Sequence, residues 1–293
     1  MAWYDEDSWA TKAFGANLPA FLVTLAVAFG LPLLLHLYLY RQRVPAKPPT
    51  FLLIGPSGAG KTKLLTSLET GTPSQTHTSQ TPASATLTLS PSITAFSARF
   101  RAAADPSKDQ TRRLLITDYP GHGKLRHQAF TALTSALKDK SSNLRGVIFL
   151  VDAAALAGPQ GLADAAEFLH DVLLALQQRH DAAKSSQGPK ACPVLVGANK
   201  GDLFTALPAQ LVRRNLEQEI TRVRQARAKG IVDVDSGEEG ENEGDWLGDG
   251  GEGAFSFKQM EEVNVVVEVV EGSVEGENGP GVMGWWEWIG GQM

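Results

Sequence analysis

Gly55-Pro56-Ser57-Gly58-Ala59-Gly60-Lys61-Thr62 is the stretch whose reading decides the fold. It satisfies the pattern G-x-x-x-x-G-K-[ST] and stands between an apolar run, Thr50 to Ile54, that reads as a buried strand and a segment from Lys61 through Leu65 and Leu68 that reads as a helix. Glycines at these positions let successive backbone amides turn inward around phosphate groups, and the helix N-terminus adds its partial positive charge. Lys61 then reaches toward the β and γ phosphates, and Thr62 offers its hydroxyl to Mg2+. A glycine-rich turn can also be purely structural, but this spacing between a strand and a helix selects a phosphate-binding loop.

Outward from that loop, Thr70 to Ser84 is rich in Thr, Ser, Gln and Pro and reads as a loop. Thr86 to Phe100 alternates as a strand does, Asp105, Pro106 and Ser107 mark a turn, and Arg113 to Thr117 is expected to return as an antiparallel partner. Two further apolar runs, Gly146 to Asp152 and Pro193 to Ala198, are followed by helical stretches at Gly161 to His180 and Pro208 to Lys229. Strands alternating with helices predict an α/β fold of the P-loop type, a mixed, mostly parallel sheet with helices on both faces. Ile231 to Gly253 is dominated by Gly, Glu and Asp without Lys or Arg, which predicts a solvated, disordered insertion. A last strand, Asn264 to Val270, and a helix near Trp285 to Ile289 complete the domain expected over residues 50–293.

A phosphate loop alone does not separate ATP from GTP. Asn199-Lys200-Gly201-Asp202 supplies the discrimination, because it follows a strand at the edge where open α/β sheets bind ligands. An aspartate there accepts hydrogen bonds from N1 and N2 of guanine, whereas adenine would leave the carboxylate unpaired. Between the two motifs, Asp118-Tyr119-Pro120-Gly121-His122 comes directly after a strand; Asp118 is placed to hold Mg2+ through water, and the Gly121 amide to face a γ phosphate.

Ahead of this domain, Leu18 to Tyr40 has no charged side chain and is dominated by Leu, Ala, Val and Phe. A helix of that length crosses a hydrocarbon core of about 30 Å, and Gly30 and Pro32 are tolerated in such helices. Tyr38 and Tyr40 suit the headgroup region, and Arg41, Arg43 and Lys47 follow. The opposite flank carries Asp5, Glu6 and Asp7. Positive charge on the cytoplasmic side predicts a short lumenal segment over 1–17, a single span over 18–40, a linker over 41–49 and a cytosolic remainder. A secretory signal would need a basic start, a shorter apolar core and a small-residue cleavage site, and a buried core helix would be shorter.

The 293 residues, 43% hydrophobic, suffice for one ordinary domain with appendages. A net charge of -5 argues against direct nucleic-acid binding. Cys192 is the only cysteine, which excludes an intrachain disulfide; it lies in a strand-like run and reads as a small buried hydrophobe.

Taken together, the N-terminal anchor, Gly55 to Thr62, Thr76-His77-Thr78-Ser79, Asp118 to His122 with Leu125-Arg126, and Asn199 to Asp202 resemble the Ras-like GTPases, and within them the signal recognition particle receptor beta subunits. The resemblance implies GTP and Mg2+ as ligands and an alpha subunit as heterodimer partner. It also implies residence in the endoplasmic reticulum membrane and, indirectly, a meeting with ribosome and translocon. It makes Thr78 the switch threonine on Mg2+, with Thr81 as the alternative in a Thr-rich loop. Ser273, in Glu271-Gly272-Ser273-Val274, takes the place of the loop that supports guanine, in a sequence that departs from the usual Ser-Ala-Lys. His122 stands where fast GTPases carry a water-positioning glutamine, which favours a binding switch with slow hydrolysis. The competing expectations are an autonomous membrane-tethered hydrolase in vesicle trafficking, with His122 activating water, and a scaffold that has lost its nucleotide. The presence of Lys61, Thr62, Asp118 and Asp202 speaks against the scaffold.

Overall fold

Strand β1 (Thr50–Ile54) is buried along nearly all its length and runs parallel to β3 (Arg113–Asp118) on one side and β4 (Leu144–Asp152) on the other. This computed structural model describes residues 18–42, 47–89, 93, 113–139, 142–182, 191–234, 246–248, 253–276 and 281–293. Among them lies a six-stranded sheet in the order β2-β3-β1-β4-β5-β6, with β2 (Ala83–Thr88), β5 (Val194–Asn199) and β6 (Val267–Glu271). Only β2 is antiparallel, and its alternating burial suits an edge strand. The chain divides into two compact units, Met1–Lys47 and Pro48–Met293.

Side chains alternate across the sheet and feed two cores. Leu52, Ile54, Val147, Phe149 and Val151 face one layer, packed by α3 (Arg126–Lys138), α4 (Pro159–Asp181) and α5 (Ala209–Val234). Phe51, Leu53, Ile148 and Leu150 face the other, packed by α2 (Lys61–Thr70) and α6 (Met283–Gln292). Gly197 lets Trp285 approach the sheet, since a Cβ there would lie 2.8 Å from Leu150 Cδ1 and 3.3 Å from the indole. Cys192 is buried, in keeping with its reading as a small hydrophobe.

Several boundaries depart from expectation. The expected strand over Thr86 to Phe100 starts earlier, at Ala83, and its pairing with β3 is described through Thr88; most of its remainder lies outside the described residues. A 3-10 helix, Phe257–Val263, precedes β6, so the last strand begins at Val267 rather than Asn264. Its capping box, built by Ser256 and Gln259, was not read from the sequence. The acidic insertion expected over 231–253 is described at 231–234, 246–248 and 253. Helix α5 continues to Val234, into the expected insertion. Leu247 is fully buried, and Gln177 holds its neighbours by donating to Trp246 O at 2.7 Å and accepting from Gly248 N at 2.8 Å. Apolar Trp246-Leu247 stands in a stretch of sequence whose average composition is polar. Residues 235–245 and 249–252 of the expected insertion lie outside the described residues.

In the N-terminal unit, α1 (Leu18–Gln42) is a 25-residue helix containing Pro32. Its apolar side chains, Leu22, Phe29, Leu31 and Leu34 among them, are exposed. Among the described residues no helix is long and apolar enough to cross a membrane; the described side chains of α1 cover 22–38.

Candidate functional site

A cavity of about 480 Å3 opens at the C-terminal edge of the parallel strands. The loop between β1 and α2 forms one end, where Ser57, Gly58, Gly60, Lys61 and Thr62 line the space and Gly55, Pro56 and Ala59 support it from behind. Three positions of this loop have positive φ, at Gly55 (145°), Gly58 (79°) and Gly60 (90°). A Cβ on Gly55 would lie 2.1 Å from Leu150 O, so this turn accepts no side chain.

Lys61 is buried and donates to Gly55 O at 2.9 Å and Pro56 O at 2.8 Å. Burial draws its ammonium down to about 8, opposed by Asp118 and assisted by Arg126. Thr62 Oγ1 donates to Asp118 Oδ2 at 2.6 Å, while Asp118 Oδ1 is buried without a hydrogen-bond partner. Burial raises the Asp118 carboxyl above its usual range, against the opposing Thr62 hydrogen bond and the Lys61 charge. A hydroxyl beside a carboxylate with one unpartnered oxygen is a donor set that fits a hard divalent cation retaining most of its water, as Mg2+ does. Gly121 packs against this end so tightly that a Cβ would fall 2.3 Å from Gly55 O and 2.6 Å from Lys61 Nζ.

The other end is built from Asn199-Lys200-Gly201-Asp202 and the turn after β6. Asn199 is a bridge rather than a free polar group: Nδ2 donates to Ala59 O at 2.8 Å and Oδ1 accepts from Val274 N at 3.1 Å. Lys200 adopts φ 63° and pairs with Asp152 Oδ2 at 2.5 Å. Asp152, at the end of β4, also accepts from Ala154 and Ala155 N through Oδ1. Ser273 Oγ lies 2.5 Å from Asp202 Oδ1 and 2.7 Å from Glu275 O, so the departure from Ser-Ala-Lys leaves the serine in contact with the aspartate. Thr78 lines the cavity with Thr76, His77 and Ser79, whereas Thr81 does not.

His122 is exposed and does not line the cavity; its Nδ1 accepts from Lys124 N at 3.3 Å. Sequence reasoning missed Asp152, Glu275 and the tether made by Arg126. That arginine donates to Gly121 O at 3.4 Å, pairs with Asp164 at 2.5 Å and sits 4.5 Å over the Phe168 ring. The position of Asp152 at the C-terminal end of a buried strand was its only local signal.

Residues 46–265 match the family described as signal recognition particle receptor beta subunit. The chain belongs to that family. It is 31% identical over 243 residues to the signal recognition particle receptor subunit beta of Saccharomyces cerevisiae, covering 82% of this chain and 83% of that protein. Solved structures of family members from Chaetomium thermophilum are also similar. One, a GTP-bound beta subunit in complex with SRX, is 38% identical with a TM-score of 0.66, covering 83% of this chain and 99% of that one. Another, with GDP and Mg, is 39% identical with a TM-score of 0.60, covering 84% and 100%.

Proposed function

We propose that the chain is the GTP-binding beta subunit of a signal recognition particle receptor, held in the endoplasmic reticulum membrane by α1. In its GTP-bound state it would recruit the alpha subunit for co-translational protein targeting, and through it meet ribosome and translocon. The observation that carries this reading is that one cavity is lined by the phosphate loop, Thr62 and the Asn199–Asp202 motif, with buried Asp118 bonded to Thr62 behind it, in a member of this family. The same membership weighs against an autonomous trafficking hydrolase.

In this assignment Lys61 and the amides of 57–62 hold phosphate, and Asp202 reads N1 and N2 of guanine, with Ser273 beside it and Asn199 and Lys200 fixing the base end. Thr62, Asp118 and Thr78 hold Mg2+, which when bound offsets phosphate charge. Thr78 and the Gly121 amide respond to a γ phosphate, so ordering of their loops is conditional on GTP. His122, exposed and outside the cavity lining, would have to turn toward the cavity to orient a water, which favours slow hydrolysis. The domain over 50–293 is cytosolic, 41–49 is its linker and 1–17 is lumenal. Support for the span comes from the sequence, in which the apolar run Leu18 to Tyr40 carries no charged side chain and is followed by Arg41, Arg43 and Lys47.

Capture of an alpha-type subunit by the chain loaded with GDP, GTP or a non-hydrolysable analogue tests the switch. Capture by GTP and analogue but not GDP is the expected result; equal capture in all three leaves a constitutive anchor. Protease added to sealed microsomes should remove the domain, and its survival would reverse the topology.

A further inference from the structure

We propose that Lys63 and Glu275 form an electrostatic clasp that closes one flank of the nucleotide cavity and slows nucleotide release, an inference that rests on the nucleotide reading above. Lys63 stands in the first turn of α2, next to the loop that forms the phosphate end. Glu275 stands two residues beyond Ser273, in the turn that forms the base end. Both side chains line the cavity, and Lys63 Nζ is paired with Glu275 Oε1.

The pair does not repeat connections already present. Asn199 joins the two ends from beneath, through Ala59 O and Val274 N, and it is buried. Lys63 and Glu275 join them at the surface, with side chains 23% and 60% exposed. The Glu275 carbonyl lies 2.7 Å from Ser273 Oγ, whose single proton it shares with Asp202 Oδ1. A ligand with phosphates at Gly58–Thr62 and a base at Asp202 extends between the segments that this pair links. Its departure on that flank requires α2 and the 273–275 turn to separate, which breaks the ion pair. Because the pair is partly exposed, its contribution is modest and screened by salt.

Release of a fluorescent GDP analogue from the full-length chain in detergent, chased with unlabelled GDP, tests this. At low salt Glu275→Gln should release about two- to fivefold faster than the natural chain, the range an exposed ion pair supports. The gap should close near 1 M salt, where the screening length falls to about 3 Å. A gap that persists at high salt would mark a packing effect and overturn the clasp. Lys63→Met should also release faster, and adding Glu275→Gln to it should change nothing further, because the interaction is already gone. Additive effects would overturn the clasp. So would slower release from Glu275→Gln, the sign expected if Lys63 serves phosphate and Glu275 merely competes for it. A natural chain that binds no guanine nucleotide would remove the proposed function and the clasp together, whereas normal binding with unaltered release in Glu275→Gln removes the clasp alone.

Discussion

At the phosphate end of the cavity, buried charges rest on makeshift partners, whereas at the base end nearly every polar group is already matched. Lys61 spends its protons on two loop carbonyls, and Asp118 keeps one buried oxygen without a partner. Burial disfavours the charge of both. At the base end, Asn199 uses both polar atoms, Lys200 has Asp152, and Asp202 has Ser273. The contrast separates two roles. In the proposed assignment a base must replace the Ser273 contact of Asp202 with N1 and N2 donors of its own, which guanine offers and adenine does not, while the charged phosphate end would draw affinity from the ligand's own charge and cation.

Exchanging the discriminating group should break the contrast most severely. Asp202→Asn presents a donor where guanine needs an acceptor, so GTP affinity should fall on the order of a thousandfold while xanthine nucleotide, with its acceptor at the matching position, should gain. Competition binding with GTP and XTP reads the exchange. Undiminished GTP affinity would remove Asp202 as the base reader.

A smaller effect is expected where the two ends meet. Asn199→Ala leaves Ala59 O and Val274 N, both on buried residues, without their side-chain partner. At about 1–3 kcal/mol for each of the two unsatisfied groups, unfolding stability should drop by about 2–6 kcal/mol. Loosening of both ends should cost about tenfold to a hundredfold in GTP affinity, the equivalent of about 1.4–2.8 kcal/mol. Denaturant unfolding and nucleotide titration measure the two quantities. Loss at only one of them would show that the bridge serves the fold or the site but not both.

The same comparison explains what was legible in the sequence. Gly55 to Thr62 follows from spacing because its geometry is local, a strand, a glycine turn and a helix in direct succession, and β1 coincides with the expected Thr50–Ile54. Asp118 and Asp202 were legible from their positions after apolar runs. The bridge through Asn199 was not, since it joins residues 140 apart, and neither was Asp152, whose partner Lys200 is 48 residues away. That pairing is created by the β4–β5 register, which sets Asp152 opposite Asn199. Composition also concealed buried Leu247, because a window average over acidic residues dilutes an apolar pair whose backbone is bonded by Gln177 in a distant helix. Spacing located His122, but its exposure and its contact with Lys124 N depend on the path of the following 3-10 turn.

The smallest expected effect concerns proton traffic at the phosphate end. In the ligand-free cavity Lys61 has its affinity for a proton lowered to about 8, chiefly by burial. Phosphate favours the ammonium form, so binding raises that affinity and, above about pH 8, draws a proton from solution. GTP affinity should therefore be nearly flat below about pH 7 and should weaken as pH rises through 8, approaching tenfold per unit well above it. The sign for folding follows separately. An unfolded lysine titrates near 10.4, so the ligand-free fold gains stability as pH rises from about 8 toward that value, where the unfolded chain holds the extra proton. Nucleotide binding and folding thus respond to pH in opposite directions. Lys61→Arg provides the reference, because guanidinium keeps its charge throughout and its profile retains only the ionisation of the nucleotide itself. Calorimetric titration at about pH 8.5 in two buffers of different ionisation enthalpy should reveal proton uptake in the natural chain beyond that in Lys61→Arg. Equal uptake in both would mean that Lys61 is already fully protonated in the empty cavity, and that its two carbonyl partners and Asp118 outweigh the cost of its burial.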